Sequence, residues 1–252
     1  MFYDNFTEEQ ICGLFTPWHF VAIACIILFV TLGLVFSRKM SEKQANRTIL
    51  IVAILVTVME VIKIILRLIK GASGDGWIPL YMCSLFIYAI WLTFSKNQFF
   101  KNMGFAFIVF GGMFSAFTFT IYPSTSLMLY PIWHPSSLHS LLYHGLMFYT
   151  GGLVMLKGLY QPKPKHFLNY VCFVGICTIL AVIINSFAGT NMMFMSNPFG
   201  LPILSNIANY SKFLYGLIVF IGQGVFLYWG CYGIYLGIKK IKEVFERKQK
   251  NK

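Results

Sequence analysis

Charge-poor apolar windows of about 20 residues recur along the whole chain, and each is long enough to cross a ~30 Å hydrocarbon core as an α-helix. That recurrence limits the fold more than any motif does. Reading the windows against their charged punctuation predicts seven spans, at 17–36, 48–69, 77–95, 103–122, 138–156, 167–187 and 213–238. Composition agrees: of 252 residues 58% are hydrophobic and 11% charged, against about 25% charged in soluble domains. A water-soluble globule is excluded. The expected fold is all-α, a single polytopic domain over 1–252 built as a bundle of seven transmembrane helices.

The formal charge of +12 raises nucleic acid binding, but the placement of the charge argues against it. Arg38, Lys39, Lys43 and Arg47 lie in the first linker, Lys96 and Lys101 in the third, and Lys157, Lys163 and Lys165 in the fifth. Seven more basic residues fill a tail at 239–252. The N-terminal segment instead carries Asp4, Glu8 and Glu9, and the other linkers offer only Lys70 and Lys212 near their ends. The positive-inside rule then puts the N-terminus outside and the C-terminus in the cytoplasm of a multi-pass cell membrane protein. The acidic residues before the first window argue against a cleaved signal peptide, so that window is expected to stay in the mature protein. The basic tail fits a helix end lying along anionic headgroups.

The two longest linkers, 123–137 and 188–212, fall outside by this topology and are rich in Pro, Asn, Ser and aromatic residues, a composition that suits capping a cavity. The six cysteines form no CxxC and no zinc spacing, which argues against a disulfide framework. Gly111, Gly112, Gly151, Gly152, Gly233 and Gly237 are candidates for close helix approach.

Ionisable side chains inside a membrane span are costly and need a partner or a wet cavity. The second span holds Glu60, Lys63 and Arg67, whose spacing of three and four puts them on one face. One reading is a self-neutralised pair with Arg67 reaching toward the outer headgroups; the other is a cavity wall whose cations bind an anionic headgroup. Counting inward from the external helix ends at about 1.5 Å per residue, Lys63, Cys83 and His144 share one depth. Ser115 and Thr118 come near that level, Asn185 lies near the outer end of the sixth span and His19 at the start of the first. The inner halves are Leu, Ile, Val, Phe and Gly, which disfavours a polar path through the membrane. A thiol must lose its proton to attack, and an imidazole in reach can take it, so Cys83 and His144 are a candidate nucleophile and base. His134 and His139 are expected at the external loop, and His166 on the cytoplasmic side. His139 and His144, five residues apart, face different ways on a helix, so no metal site is expected. No cofactor motif is present either.

Four stretches carry a resemblance: the Glu60 face, Pro79-Leu-Tyr-Met-Cys83, Leu141-Leu-Tyr-His144, and Asn185-Ser-Phe-Ala-Gly189-Thr-Asn191 followed by Pro198. They resemble the bacterial YwaF-like integral membrane proteins, which share a broader family with the eukaryotic transmembrane protein 164, an acyltransferase of ether phospholipids. The resemblance implies a cysteine that carries the acyl group, with Cys83 at that position and His144 as its general base. The chain departs from the bacterial pattern at Tyr81 and Ser84, where a His and an acidic residue usually stand, and at Met192, usually Tyr.

The expected activity is an acyl hydrolase or transacylase acting on membrane phospholipid. Lys63 or Arg67 would meet the phosphate, and Asn185 or Asn191 would donate to the developing oxyanion. The alternative is a non-enzymatic seven-helix sensor or carrier that holds an amphiphile in the same pocket. Proton-coupled transport through Glu60 is disfavoured by the apolar inner halves.

Overall fold

The structure, a computed structural model, describes residues 6–69, 78–198 and 202–250, the last three of these without side chains. Asp4, Lys70, Trp77 at the expected start of the third span, and Lys252 lie outside the described residues. Every regular element among the described residues is helical: α1 (Pro17–Ser37), α2 (Glu42–Ile69), α3 (Leu85–Leu92), α4 (Gln98–Ala106), α5 (Met113–Ile121), α6 (Pro135–Leu156), α7 (Phe167–Ala188), α8 (Pro202–Tyr210), α9 (Lys212–Phe220) and α10 (Leu227–Lys250), with 3-10 turns at Pro164–His166 and Met192–Phe194. π-helical stretches at Phe107–Gly112 and Ile221–Phe226 join α4 to α5 and α9 to α10 without a break.

Local sequence sets these boundaries. Thr16 accepts from the His19 amide, with Pro17 next, to start α1, and Asn97 caps α4 through the Phe99 amide. α2 begins six residues before the expected 48, because Ser41 and Gln44 form a reciprocal capping box inside the basic linker. α7 ends where Gly189 takes a left-handed φ of 63°.

Among the described residues five helical stretches are long and apolar enough to cross a membrane: Pro17–Ser37, Glu42–Ile69, Gln98–Ile121, Pro164–Ala188 and Lys212–Arg247. The other two expected spans differ. The third is helical only over the eight residues of α3, about 12 Å, below an irregular stretch and turn at 78–84, because Pro79 disfavours helix for the residue before it. The fifth forms the full helix α6, but Ser136, Ser137, His139, Ser140 and His144 dilute its apolar character.

α6 and the continuous helix from Gln98 to Ile121 form the centre. α6 packs on α1, α2, α5 and the first π stretch, while α4 packs on α3 and α7. Close approach is built on glycine in three places: Gly33 under the Tyr149 ring, Gly152 against Leu34, and Gly104 against the Ala89 backbone. Gly151 sits against Met113, and Gly111 against Phe107 and the Tyr170 hydroxyl. Gly233 and Gly237, expected to do the same, face open space. The outer surface is apolar: α1 exposes Phe20, Ile27, Leu28, Phe29, Leu32, Val35 and Phe36. Exposed apolar area on that scale requires lipid for a solvent, since water would penalise it by about 25 cal/mol per Å².

Candidate active site

Most of the expected site residues meet where α2, α6 and the turn before α3 come together. On α2, Glu60 is buried and forms an ion pair with Lys63 one turn on. Its Oε1 receives no hydrogen bond besides. Cys83 is half-buried in the turn that leads into α3. Its carbonyl accepts from the Tyr143 hydroxyl of α6 at 3.4 Å, its thiol has Ser84 as hydrogen-bonding neighbour, and Lys63 and Glu60 are the charged groups that bear on it.

His144 is buried on α6. Its Nδ1 bonds the Ser140 carbonyl at 2.7 Å, which makes Nδ1 the donor and leaves Nε2 as an acceptor lone pair. Its ring lies flat on Phe119 of α5, with centroids 3.7 Å apart at 3°. His139, one turn earlier, faces the other way, as its spacing predicts. Its ring stacks on Tyr143 and bonds the Met59 backbone of α2, with Lys63 and Arg67 acting on it. His139 Nε2 is buried without a partner.

Glu60, Lys63, Cys83, Tyr143, His139 and His144 thus share one neighbourhood, which Arg67 joins through His139. The Cys83 thiol and the His144 imidazole do not hydrogen-bond to each other; Tyr143 connects them, bonding Cys83 and meeting the His144 ring edge-on. Sequence reading missed Tyr143 and placed His139 only at the loop. The signal was available, because Tyr143 follows His139 by four and precedes His144 by one.

Asn185 and Asn191 bond to the loop that follows α7. Asn185 Oδ1 accepts from the Thr190 hydroxyl (2.7 Å) and the Met192 amide (2.8 Å), and its Nδ2 donates to the Met192 carbonyl (3.0 Å). Asn191 Oδ1 accepts from the Ser196 and Asn197 amides, and its Nδ2 donates to the Asn197 carbonyl. Both carboxamides staple the loop after α7. That loop holds Met193 and Phe194 at φ of 51° and 60°, a left-handed conformation that side chains resist. Gln223 Nε2 donates to the Met193 carbonyl (3.1 Å) and the Tyr215 hydroxyl to the Phe194 carbonyl (2.5 Å). The Phe194 ring then reaches Tyr81, two residues before Cys83.

His19 and His134 hold local structure. His19 Nδ1 accepts from the Phe15 amide and Nε2 bonds the Thr120 carbonyl. His134 caps α6 through the Ser136 amide and stacks on Tyr130. Among the described residues no cluster of His, Cys, Asp or Glu could hold a metal ion, and all six cysteines are free thiols.

Apolar helices around a cluster of ionisable groups define an all-α membrane protein. The sequence model of the TMEM164 family matches residues 14–229, and the chain belongs to that family. No curated protein and no solved structure matches it.

Proposed function

We propose that this protein is an acyl hydrolase or transacylase of membrane phospholipids, with Cys83 as nucleophile and His144 as general base. The supporting observation is the gathering of buried Glu60 and His144 with half-buried Lys63, Cys83 and His139 on elements that otherwise bury apolar side chains, in a chain of the TMEM164 family. In this reading a lipid enters sideways between helices and its phosphate meets Lys63 and Arg67. His144 Nε2 takes the Cys83 proton as substrate closes the gap between them. The thiolate attacks the ester carbonyl carbon, the bond to the glycerol oxygen breaks, and the imidazolium returns its proton to that oxygen, releasing lysolipid. A lysolipid hydroxyl or water then attacks the thioester, its proton passing through the same imidazole and back to the thiol. Asn185 and Asn191 were candidates for oxyanion donors; their amides are engaged in the loop, and this mechanism gives them no step.

The reading includes seven crossings of the cell membrane, with the N-terminus outside and the basic tail in the cytoplasm. α3 and the turn above it supply the third crossing, since irregular backbone at membrane depth is tolerated where protein covers it, and Leu85, Phe86, Ala89 and Ile90 are all fully buried. Membrane lipids are its proposed partners.

The test is acyl exchange between a diacyl phospholipid and a lysolipid, read by lipid mass spectrometry on purified protein. Cys83→Ala is expected to abolish it. Exchange that survives this change removes the nucleophile assignment. A second reading, a sensor or carrier that holds an amphiphile without covalent chemistry, is favoured by the missing thiol–imidazole hydrogen bond. It predicts lipid-dependent thermal stabilisation that Glu60→Gln weakens, with no exchange in the wild type.

A further inference from the structure

At the opposite, basic end of the bundle three aromatic rings stack where the α6–α7 linker leads into α7. Phe105 of α4 lies 5.8 Å from Tyr160 at 21°, and Tyr160 lies 5.1 Å from His166 at 29°. Tyr160 is 5% exposed and His166 7%. The Tyr160 hydroxyl and His166 Nδ1 both lack a hydrogen-bond partner. One orphaned buried polar atom costs enough that folds rarely keep it, and two on touching rings point to a missing ligand.

The charges around this pair have one sign. Lys163 and Lys165 are exposed on either side of Pro164 and act on His166, and Lys101 sits over the Phe105 ring at 5.9 Å. The linker from Lys157 to His166 contains no Asp or Glu. His166 occupies the N-cap position of the 22-residue helix α7, with no side-chain cap bond and no acidic residue in the first turn. A 3-10 turn at Pro164–His166 runs into α7 and pairs the His166 and Phe167 amides with the Lys163 and Pro164 carbonyls, and no carboxylate there offsets the positive end of the helix dipole. The Tyr228 hydroxyl fixes the linker by donating to the Lys163 carbonyl at 2.7 Å. Two neutral donors, two flanking ammonium groups and a helix N-terminus match an anion with several acceptor oxygens.

We propose that Tyr160, His166, Lys163, Lys165 and the N-terminus of α7 form a binding site for a phosphate group, carried by an anionic phospholipid headgroup or by the free ion. The site uses neither Cys83 nor His144, so it stands or falls independently of the acyl-transfer reading.

The test uses the full chain in phosphatidylcholine nanodiscs. One arm measures retention of phosphatidylglycerol against phosphatidylcholine by native mass spectrometry; the other measures the melting temperature in inorganic phosphate against chloride at equal ionic strength. The wild type is expected to prefer phosphatidylglycerol, to be stabilised by phosphate, or both. The first result alone identifies a headgroup and the second alone the free ion. A Lys163→Gln, Lys165→Gln double variant is expected to weaken the effect roughly tenfold, and Tyr160→Phe by about threefold to tenfold. Tyr160→Phe removes an atom that bonds nothing in the fold, so its ligand-free melting temperature should hold; this keeps the test decisive if the double variant misfolds. A wild type indifferent to both probes, or a Tyr160→Phe protein that binds as tightly as wild type, overturns the proposal.

Discussion

His144 and His139 differ in what their ring nitrogens already do. His144 has committed Nδ1 to Ser140, so its Nε2 can accept a proton. His139 is tied to the α2 backbone at Met59 and its ring lies along Tyr143. His144→Gln is therefore expected to cut acyl exchange by about 10²- to 10⁴-fold, and His139→Gln by much less. The reverse order in measured rates would move the base role to His139. Asn185 carries a prediction of another kind. Asn185→Ala deletes three hydrogen bonds and takes the partner away from the buried Met192 amide and Thr190 hydroxyl, so it should lower stability by about 2–4 kcal/mol, read as a fall in melting temperature. The ionisable residues of the candidate site stand out in the sequence because each is a charge or imidazole in an apolar window. The asparagines do not, because an amide that staples a loop and one that meets substrate look alike until their partners are known.

Among the elements, the helices set by apolar length were legible to within a few residues wherever one window made one helix. Two departures came from short-range chemistry that window averaging hides: the Ser41–Gln44 capping box, which extends α2, and Pro79, which leaves α3 short. α8, inside the second long loop, buries no side chain and gave no apolar window to find. Helix contact is where substitutions separate the glycines. A Cβ on Gly104 would fall on the Ala89 carbonyl oxygen, which is backbone and cannot swing away. Gly104→Ala should therefore destabilise by about 1–3 kcal/mol. Gly233→Ala meets open space and should be neutral or stabilise by up to about 1 kcal/mol, the helix preference of alanine. Thermal melts of the two variants in one detergent check the contrast, and equal losses would show that α4 and α3 are not packed as described.

For the whole molecule the proposed orientation has a direct check. Ser124 and Lys39 are both exposed and lie in loops at opposite ends of the bundle. Ser124→Cys should react with a membrane-impermeant maleimide on intact cells, and Lys39→Cys only after permeabilisation. The native Cys12 adds little background, since it is 2% exposed and burial pushes its thiol up, keeping the reactive thiolate scarce. Labelling of Lys39→Cys from outside would invert the orientation. The continuous helix from Lys212 to Lys250 extends about 58 Å, nearly twice a hydrocarbon core, so its basic end stands clear of the acyl chains whichever way the bundle faces.

The polar stripe on α6 bears on how the chain is made. A segment carrying Ser136, Ser137, His139, Ser140 and His144 is a poor substrate for autonomous partitioning out of an insertion channel. α1, which is synthesised before α6 and lies along it through Gly33, Leu34 and the Ser37–Tyr149 hydroxyl pair (2.8 Å), offers a packing surface to α6 as it enters. The polar side chains that α6 brings to the candidate site thus tie its integration to an earlier helix.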